Sequence, residues 1–211
     1  MTADVPDGVG LSGLHDAASG CRGCELWEPA TQTVFGSGPE TARIVFVGEQ
    51  PGDQEDRRGE PFVGPAGRLL DRALADAGID RADTYVTNAV KHFRFRPTPK
   101  RRLHVSPGNE HIAACRPWLD AELALLAPEI VVCLGAVAAR ALIAPSFRIT
   151  KDRGQLLPRP MTPEQEDAGV QQSWLMATLH PSAILRTPEE ERATAYDAVV
   201  ADLRVAASAL A

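Results

Sequence analysis

Four short β-branched apolar runs divide this chain: 43–47 (RIVFV), 84–87 (TYVT), 130–134 (IVVCL) and 174–179 (WLMATL). The stretches between them carry helical periodicity, which predicts helices over 66–77, 110–126 and 136–143. A C-terminal helix is expected over 187–207, opened by Thr187 and Glu190 as a capping box with Pro188 in its first turn. Strands that alternate with helices and are apolar on both faces imply a parallel sheet covered on both sides. The expected fold is therefore α/β, three layers (α/β/α) around a central four-stranded parallel sheet. The segment 151–173 reads as a short β excursion and a Pro-rich loop. At 211 residues, 44% hydrophobic and 24% charged, the chain suits one globular domain rather than a disordered or fibrous protein.

In open parallel sheets, ligands bind beyond the carboxyl ends of the strands. The segments at those ends are Gly48-Glu49-Gln50-Pro51-Gly52-Asp53, Asn88-Ala89-Val90-Lys91-His92, Gly135-Ala136 and His180-Pro181-Ser182. Three of these four bring acid, amide or imidazole groups to turn-forming backbone. His180 ends a buried strand and is expected to point into the crevice there. Phe62 lies between turn residues on the same rim, where a flat ring can stack on a base. His15 and His111 fall on expected helix surfaces and read as structural.

Net charge is −6, which taken alone disfavours a phosphate-bearing partner. The charge is unevenly spread. Of 22 Lys and Arg, six (Lys91, Arg94, Arg96, Lys100, Arg101, Arg102) stand between 91 and 104 with no acid among them, leaving 16 to face 28 Asp and Glu. That is either an anion-binding segment or a solvated charge run. The longest apolar stretch, 130–144, is interrupted by Arg140 and falls short of the ~18 residues a membrane span needs. The N-terminus carries acidic residues where a secretory signal would carry basic ones, so a cytoplasmic protein is expected.

Cys21-Arg22-Gly23-Cys24 has the spacing that brings two thiolates to one metal centre. His92 and Cys115 are candidate partners, while Cys133, in the middle of an apolar run, reads as core. Three thiolates and one imidazole permit either zinc or an iron–sulfur cluster.

Taken in order, GEQPGD, PFVGPAGRLLDRAL, YVTNAVKH, KRRLH and HPSAILR, together with the C-x-x-C pair, resemble the uracil-DNA glycosylase superfamily from about residue 21 to 203. Three features are similar to its UdgX branch rather than to the ordinary family-four enzymes: Gln50 in the first motif, His92 where those enzymes carry a cysteine ligand, and the inserted KRRLH loop. The resemblance implies one glycosylase domain over 1–211, with its core about 21–207. It also implies a 4Fe-4S cluster on Cys21, Cys24, His92 and Cys115, with zinc as the alternative. The implied activity is excision of uracil from DNA followed by covalent attachment of the protein to the abasic C1′ through His104. Two other readings are a turning-over family-four-type glycosylase and a non-catalytic, metal-stabilised nucleic-acid-binding module.

On this resemblance His104, Glu49 and His180 are the expected catalytic residues. His104 would attack C1′, Glu49 would orient the nucleophile and favour the cationic sugar, and His180 would donate to uracil O2. Phe62 would stack on the base and Asn88 would read its O4 and N3–H edge, with Gln50, Gly52, Asp53 and Ser182 as further substrate contacts. Lys91, Lys100, Arg101, Arg102 and Arg186 would contact DNA. The expected partner is uracil-containing DNA, preferably single-stranded, acted on by a monomer with no obligate protein partner and no membrane attachment.

Overall fold

The computed structural model describes residues 2–161, 167 and 171–210. Its centre is a sheet of β1 (Ile44–Gly48), β2 (Thr84–Asn88), β5 (Ile130–Leu134), β7 (Trp174–Thr178) and the two-residue β6 (Leu157–Pro158), in the order β2-β1-β5-β7-β6. The first four strands are mutually parallel, and β6 pairs antiparallel with β7. The expected four-stranded parallel sheet is thus present, with the short β excursion as an added edge. Part of the expected Pro-rich loop, 162–166 and 168–170, lies outside the described residues.

Period-two alternation sends each strand's side chains to two cores. Ile44, Phe46, Ile130, Val132 and Leu134 pack on one face against Leu70 and Leu74 of α3 (Pro65–Ala77) and Val199 and Leu203 of the C-terminal helix α8 (Glu189–Ser208). Val45, Val47, Val131 and Cys133 pack on the other against Leu119 and Leu123 of α4 (Asn109–Leu126) and Ala138 and Ala139 of α5 (Ala136–Leu142). Cys133 is fully buried, and burial pushes its thiol up to about 12, as fits an inert core residue. A third, smaller core docks α1 (Leu11–Ala18) onto α4 through Leu14, Phe35, Cys115 and Trp118. Among the described residues no helix is long and apolar enough to cross a membrane.

Two local expectations need correction. Thr187 does not open the C-terminal helix: it closes the short α7 (Pro181–Arg186), its hydroxyl donating to the Ala183 carbonyl at 3.0 Å, and Pro188 caps α8 instead. The KRRLH segment is not an irregular loop. Arg102–His104 forms β4, antiparallel to β3 (Phe95–Pro97), with Phe95 opposite His104. The remaining elements are α2 (Asp53–Arg58) after β1 and α6 (Ile149–Asp152).

Candidate active site

The chain runs from β1 to β2 on one side and returns to β5 on the other, so the carboxyl ends of β1 and β5 flank a crevice. A cavity of about 570 Å³ opens there, lined by Glu49, Gln50, Gly52, Phe62, Asn88, His104, Ser182, His180 and Arg186 among others. Nine of the expected site residues therefore meet around one cavity although they come from five separate segments.

His180 caps α7, and its Nδ1 accepts the backbone N–H of Ser182 at 3.1 Å. Burial, reinforced by Arg186 and His104, pushes its pKa down to about 4, so the ring is neutral near pH 7. A neutral ring that accepts at Nδ1 carries its proton on Nε2, which makes His180 a neutral hydrogen-bond donor. The Phe62 ring stacks on it at 6.1 Å between centroids and 26° between planes. Phe62 adopts a left-handed backbone (φ 58°), uncommon for an aromatic residue. Two glycines make room for it: a Cβ at Gly67 would lie 1.5 Å from the Phe62 carbonyl, and one at Gly48 would lie 2.8 Å from its ring and 2.4 Å from Oδ1 of Asn88.

Facing this wall, His104 Nε2 lies 3.8 Å from Glu49 Oε1, too long for a hydrogen bond. That oxygen is buried and has no hydrogen-bond partner among the described residues. A buried unpaired carboxylate oxygen is costly, and here it faces the cavity where a cationic centre would satisfy it. Burial lowers the His104 pKa; Glu49 opposes the shift and Arg186 adds to it. The imidazole is therefore largely unprotonated near neutral pH, with a free electron pair on one ring nitrogen.

The hairpin that carries His104 is held at two points. Gln50 is buried, and its amide nitrogen donates to the carbonyls of Arg94 and Val105, both at 3.1 Å, while its oxygen accepts from the Arg94 N–H at 3.1 Å. All three bonds go to the base of the hairpin, so Gln50 borders the cavity as a clamp and its amide is not available to substrate. Arg102 donates to Asp53 and to the fully buried Asp56, and it lies over the rings of Phe93 and Phe95. The expected phosphate contact at Arg102 and substrate contact at Asp53 are corrected accordingly: the two form a structural ion pair. Lys100 and Arg101 remain exposed at the hairpin turn.

Lys91 is likewise not a phosphate contact. It is fully buried, paired with Glu122 and donating to Thr87 Oγ1 at 2.6 Å and to the Asn88 carbonyl at 2.9 Å. His111, expected on a helix surface, is also buried: its Nδ1 accepts from the Gly108 N–H, and its Nε2 meets Glu25 at 2.7 Å. One residue that sequence reasoning missed is Glu55. It lines the cavity and accepts the Gly64 N–H at 2.7 Å, fixing the loop that presents Phe62. The available signal was an acid in the first turn of a helix right after a Pro-Gly turn.

Cys21, Cys24 and Cys115 come together in the core between α1 and α4. The Trp118 indole N–H points at Cys21 Sγ and the Lys91 backbone N–H at Cys115 Sγ, each at 3.2 Å. Burial pushes the Cys115 thiol up to about 12, so without a cation beside it this sulfur stays protonated. His92 is buried next to Lys91, its Nε2 at 2.9 Å from the Thr33 hydroxyl, and burial drives its pKa down to about 4, the neutral form a ligand needs. No three metal-ligating side chains among the described residues close to the reach of a single ion.

Residues 35–204 match the family model for the uracil DNA glycosylase superfamily. A type-4 uracil-DNA glycosylase of Pyrobaculum aerophilum is 36% identical over 178 residues, 84% of this chain and 86% of its own length. One from Archaeoglobus fulgidus is 38% identical over 173 residues, 80% of each chain. A type-5 uracil-DNA glycosylase of Thermus thermophilus is 35% identical over 139 residues, 58% of each chain. With the family model covering most of the chain and two type-4 relatives aligned over 80% or more of it, the protein belongs to the uracil-DNA glycosylase superfamily.

Proposed function

We propose that this protein excises uracil from DNA and ends the reaction covalently joined to the abasic sugar through His104. The observation that carries the reading is the approach of His104 Nε2 to 3.8 Å from Glu49 Oε1, a buried oxygen with no hydrogen-bond partner among the described residues, at a cavity also lined by Phe62 and a neutral His180. Phe62 stacks on the extruded base and the Asn88 amide reads its O4 and N3–H edge. As the N1–C1′ bond breaks, its electron pair leaves on uracil, and His180 Nε2–H stabilises the charge at O2. Glu49 stabilises the positive sugar. His104 gives the electron pair of its unprotonated nitrogen to C1′, and the other ring nitrogen then releases its proton to solvent. A nucleophile fixed by the hairpin works at an effective molarity of about 10⁵ M or more, enough to outcompete water. Gly52 and Ser182 complete the base pocket, and Lys100, Arg101 and Arg186 meet phosphates.

The chain acts as one domain and as a monomer in the cytoplasm. Single-stranded DNA is the preferred substrate, since it spares the cost of unpairing the base. Cys21, Cys24, His92 and Cys115 would hold a 4Fe-4S cluster. The N–H donors at two of the sulfurs suit thiolate ligands. Because these four residues stand on the N-terminal segment, after β2 and on α4, such a group would join those three segments. A second reading, favoured by the type-4 relatives, has water as the nucleophile and free abasic DNA as the product.

The deciding experiment mixes the protein with single-stranded DNA carrying one uracil and resolves the products on a denaturing gel beside the His104→Ala variant and a thymine control. A DNA band shifted by the protein's mass, dependent on uracil and absent in the variant, is expected. Free abasic DNA from both proteins would establish the turning-over reading, and unchanged DNA would leave only a binding module.

A further inference from the structure

A second hollow, of about 630 Å³, lies beside the active-site cavity and has no place in the chemistry above. Three separate segments lead from one to the other. On α5, Ala136 and Val137 line the active-site cavity, and Arg140 and Ala141, one turn on, line the hollow. Ile149 faces the first and Arg148 the second. Ser106 borders the first and Asn109, at the start of α4, the second. The two are therefore neighbours along a shared wall.

The lining of the hollow has a single sign. Arg116, Arg140 and Arg148 contribute three guanidinium groups, and no Asp or Glu is among the lining residues, in a chain whose net charge is −6. Arg116 is tied down, bonding Asp120 at 2.6 Å and the Ala141 carbonyl at 2.7 Å, so it builds the wall. Arg140 and Arg148 are exposed, and among the described residues the Arg140 guanidinium bonds only the Phe147 carbonyl, through Nε at 3.4 Å. Its terminal nitrogens have no hydrogen-bond partner among the described residues and offer a forked donor for phosphate oxygens.

We infer that this hollow is a phosphate track for the DNA strand that carries the uracil, with Arg140 and Arg148 contacting the backbone beyond the extruded nucleotide. The inference rests on the proposed uracil-DNA reading and extends its DNA contacts to the side of the cavity formed by α5 and α6, where no DNA contact was expected from the sequence. Such a track gains affinity only from strands long enough to reach it, and that gain depends on salt.

The test measures binding of the whole protein to single-stranded DNA containing a 2′-fluorinated uracil nucleotide, whose electron-poor sugar resists cleavage, as a trinucleotide and as a strand of about 12 nucleotides. Two phosphate contacts on a single strand correspond to a salt slope of about 1.4, so losing them removes about sevenfold of the affinity change between about 50 and about 200 mM salt. The Arg140→Gln/Arg148→Gln variant is expected to lose that share on the longer strand, and Arg140→Lys/Arg148→Lys, which keeps both charges, to retain most of it. An identical slope in the wild type and the Gln variant would overturn the track. Uracil release from an unmodified strand by the wild type is measured alongside, so that failure of the glycosylase reading is seen separately.

Discussion

Glu49 Oε1 and His104 Nε2 approach to 3.8 Å at the cavity they both line, one at the end of β1 and the other at the end of a hairpin about fifty residues on. The carboxylate side chain is 20% exposed and the imidazole 45%, so the imidazole is the more open of the two. Replacing Glu49 by Gln keeps the shape and removes the charge that favours a cationic sugar. Uracil release and adduct formation are expected to fall together, by about 10²- to 10³-fold, the range seen when one preorganised electrostatic contact is lost. Single-turnover release of labelled uracil measures the first and a denaturing gel the second.

The capture step should carry its own acid limb. On the proposed capture His104 would attack only when unprotonated, and burial holds its pKa below the usual 6.5. Adduct formation is therefore expected to decline at a lower pH than an ordinary imidazole would give. Arg186 contributes to that depression, so Arg186→Gln, by removing a nearby positive charge, should make protonation easier and move the decline to higher pH. A rate profile from about pH 4 to 8 for both proteins decides the sign.

Arg102 should matter to capture more than to base recognition, since it anchors the hairpin and does not line the cavity. Arg102→Ala leaves the buried Asp56 carboxylate without its cation, a change that typically costs about 3 kcal/mol or more. Urea melts are expected to show that loss. The adduct-to-free-abasic ratio should drop as His104 loses its position and water competes. A variant that is destabilised but captures with an unchanged ratio would remove Arg102 from the positioning of His104.

The sheet was legible because its strands are apolar on both faces, a pattern that survives without knowledge of neighbours. The cavity was legible because parallel topology places the strand ends together, which brought Glu49, Asn88 and His180 to one place. The hairpin was not, because strands of three residues, one of them containing Pro97, carry no alternation to detect. α2 was missed for a related reason: DQEDRR has no apolar face, and its start is set by the turn before it. The errors at Lys91 and Arg102 share a cause. A run of basic residues reads as one solvated surface, whereas their partners Glu122, Asp56 and Asp53 are brought in by tertiary contacts 31 to 49 residues away.

The buried pair of Lys91 and Glu122 gives a test that separates structure from DNA binding. Glu122 also accepts from the Tyr85 hydroxyl at 2.9 Å and the Gly36 N–H at 3.1 Å, so the pair joins β2, α4 and the segment before β1 behind the Asn88 wall. Lys91→Met strands a buried carboxylate and is expected to cost about 3 to 5 kcal/mol in urea unfolding. Lys91→Met/Glu122→Gln removes the stranded charge while keeping an oxygen for Tyr85 and Gly36, and should regain much of that loss. A phosphate contact would behave differently: the double variant would then bind DNA with a salt slope lower by about 0.7 for a single strand. Because the ammonium is fully enclosed, the slope of the double variant is expected to equal that of the wild type.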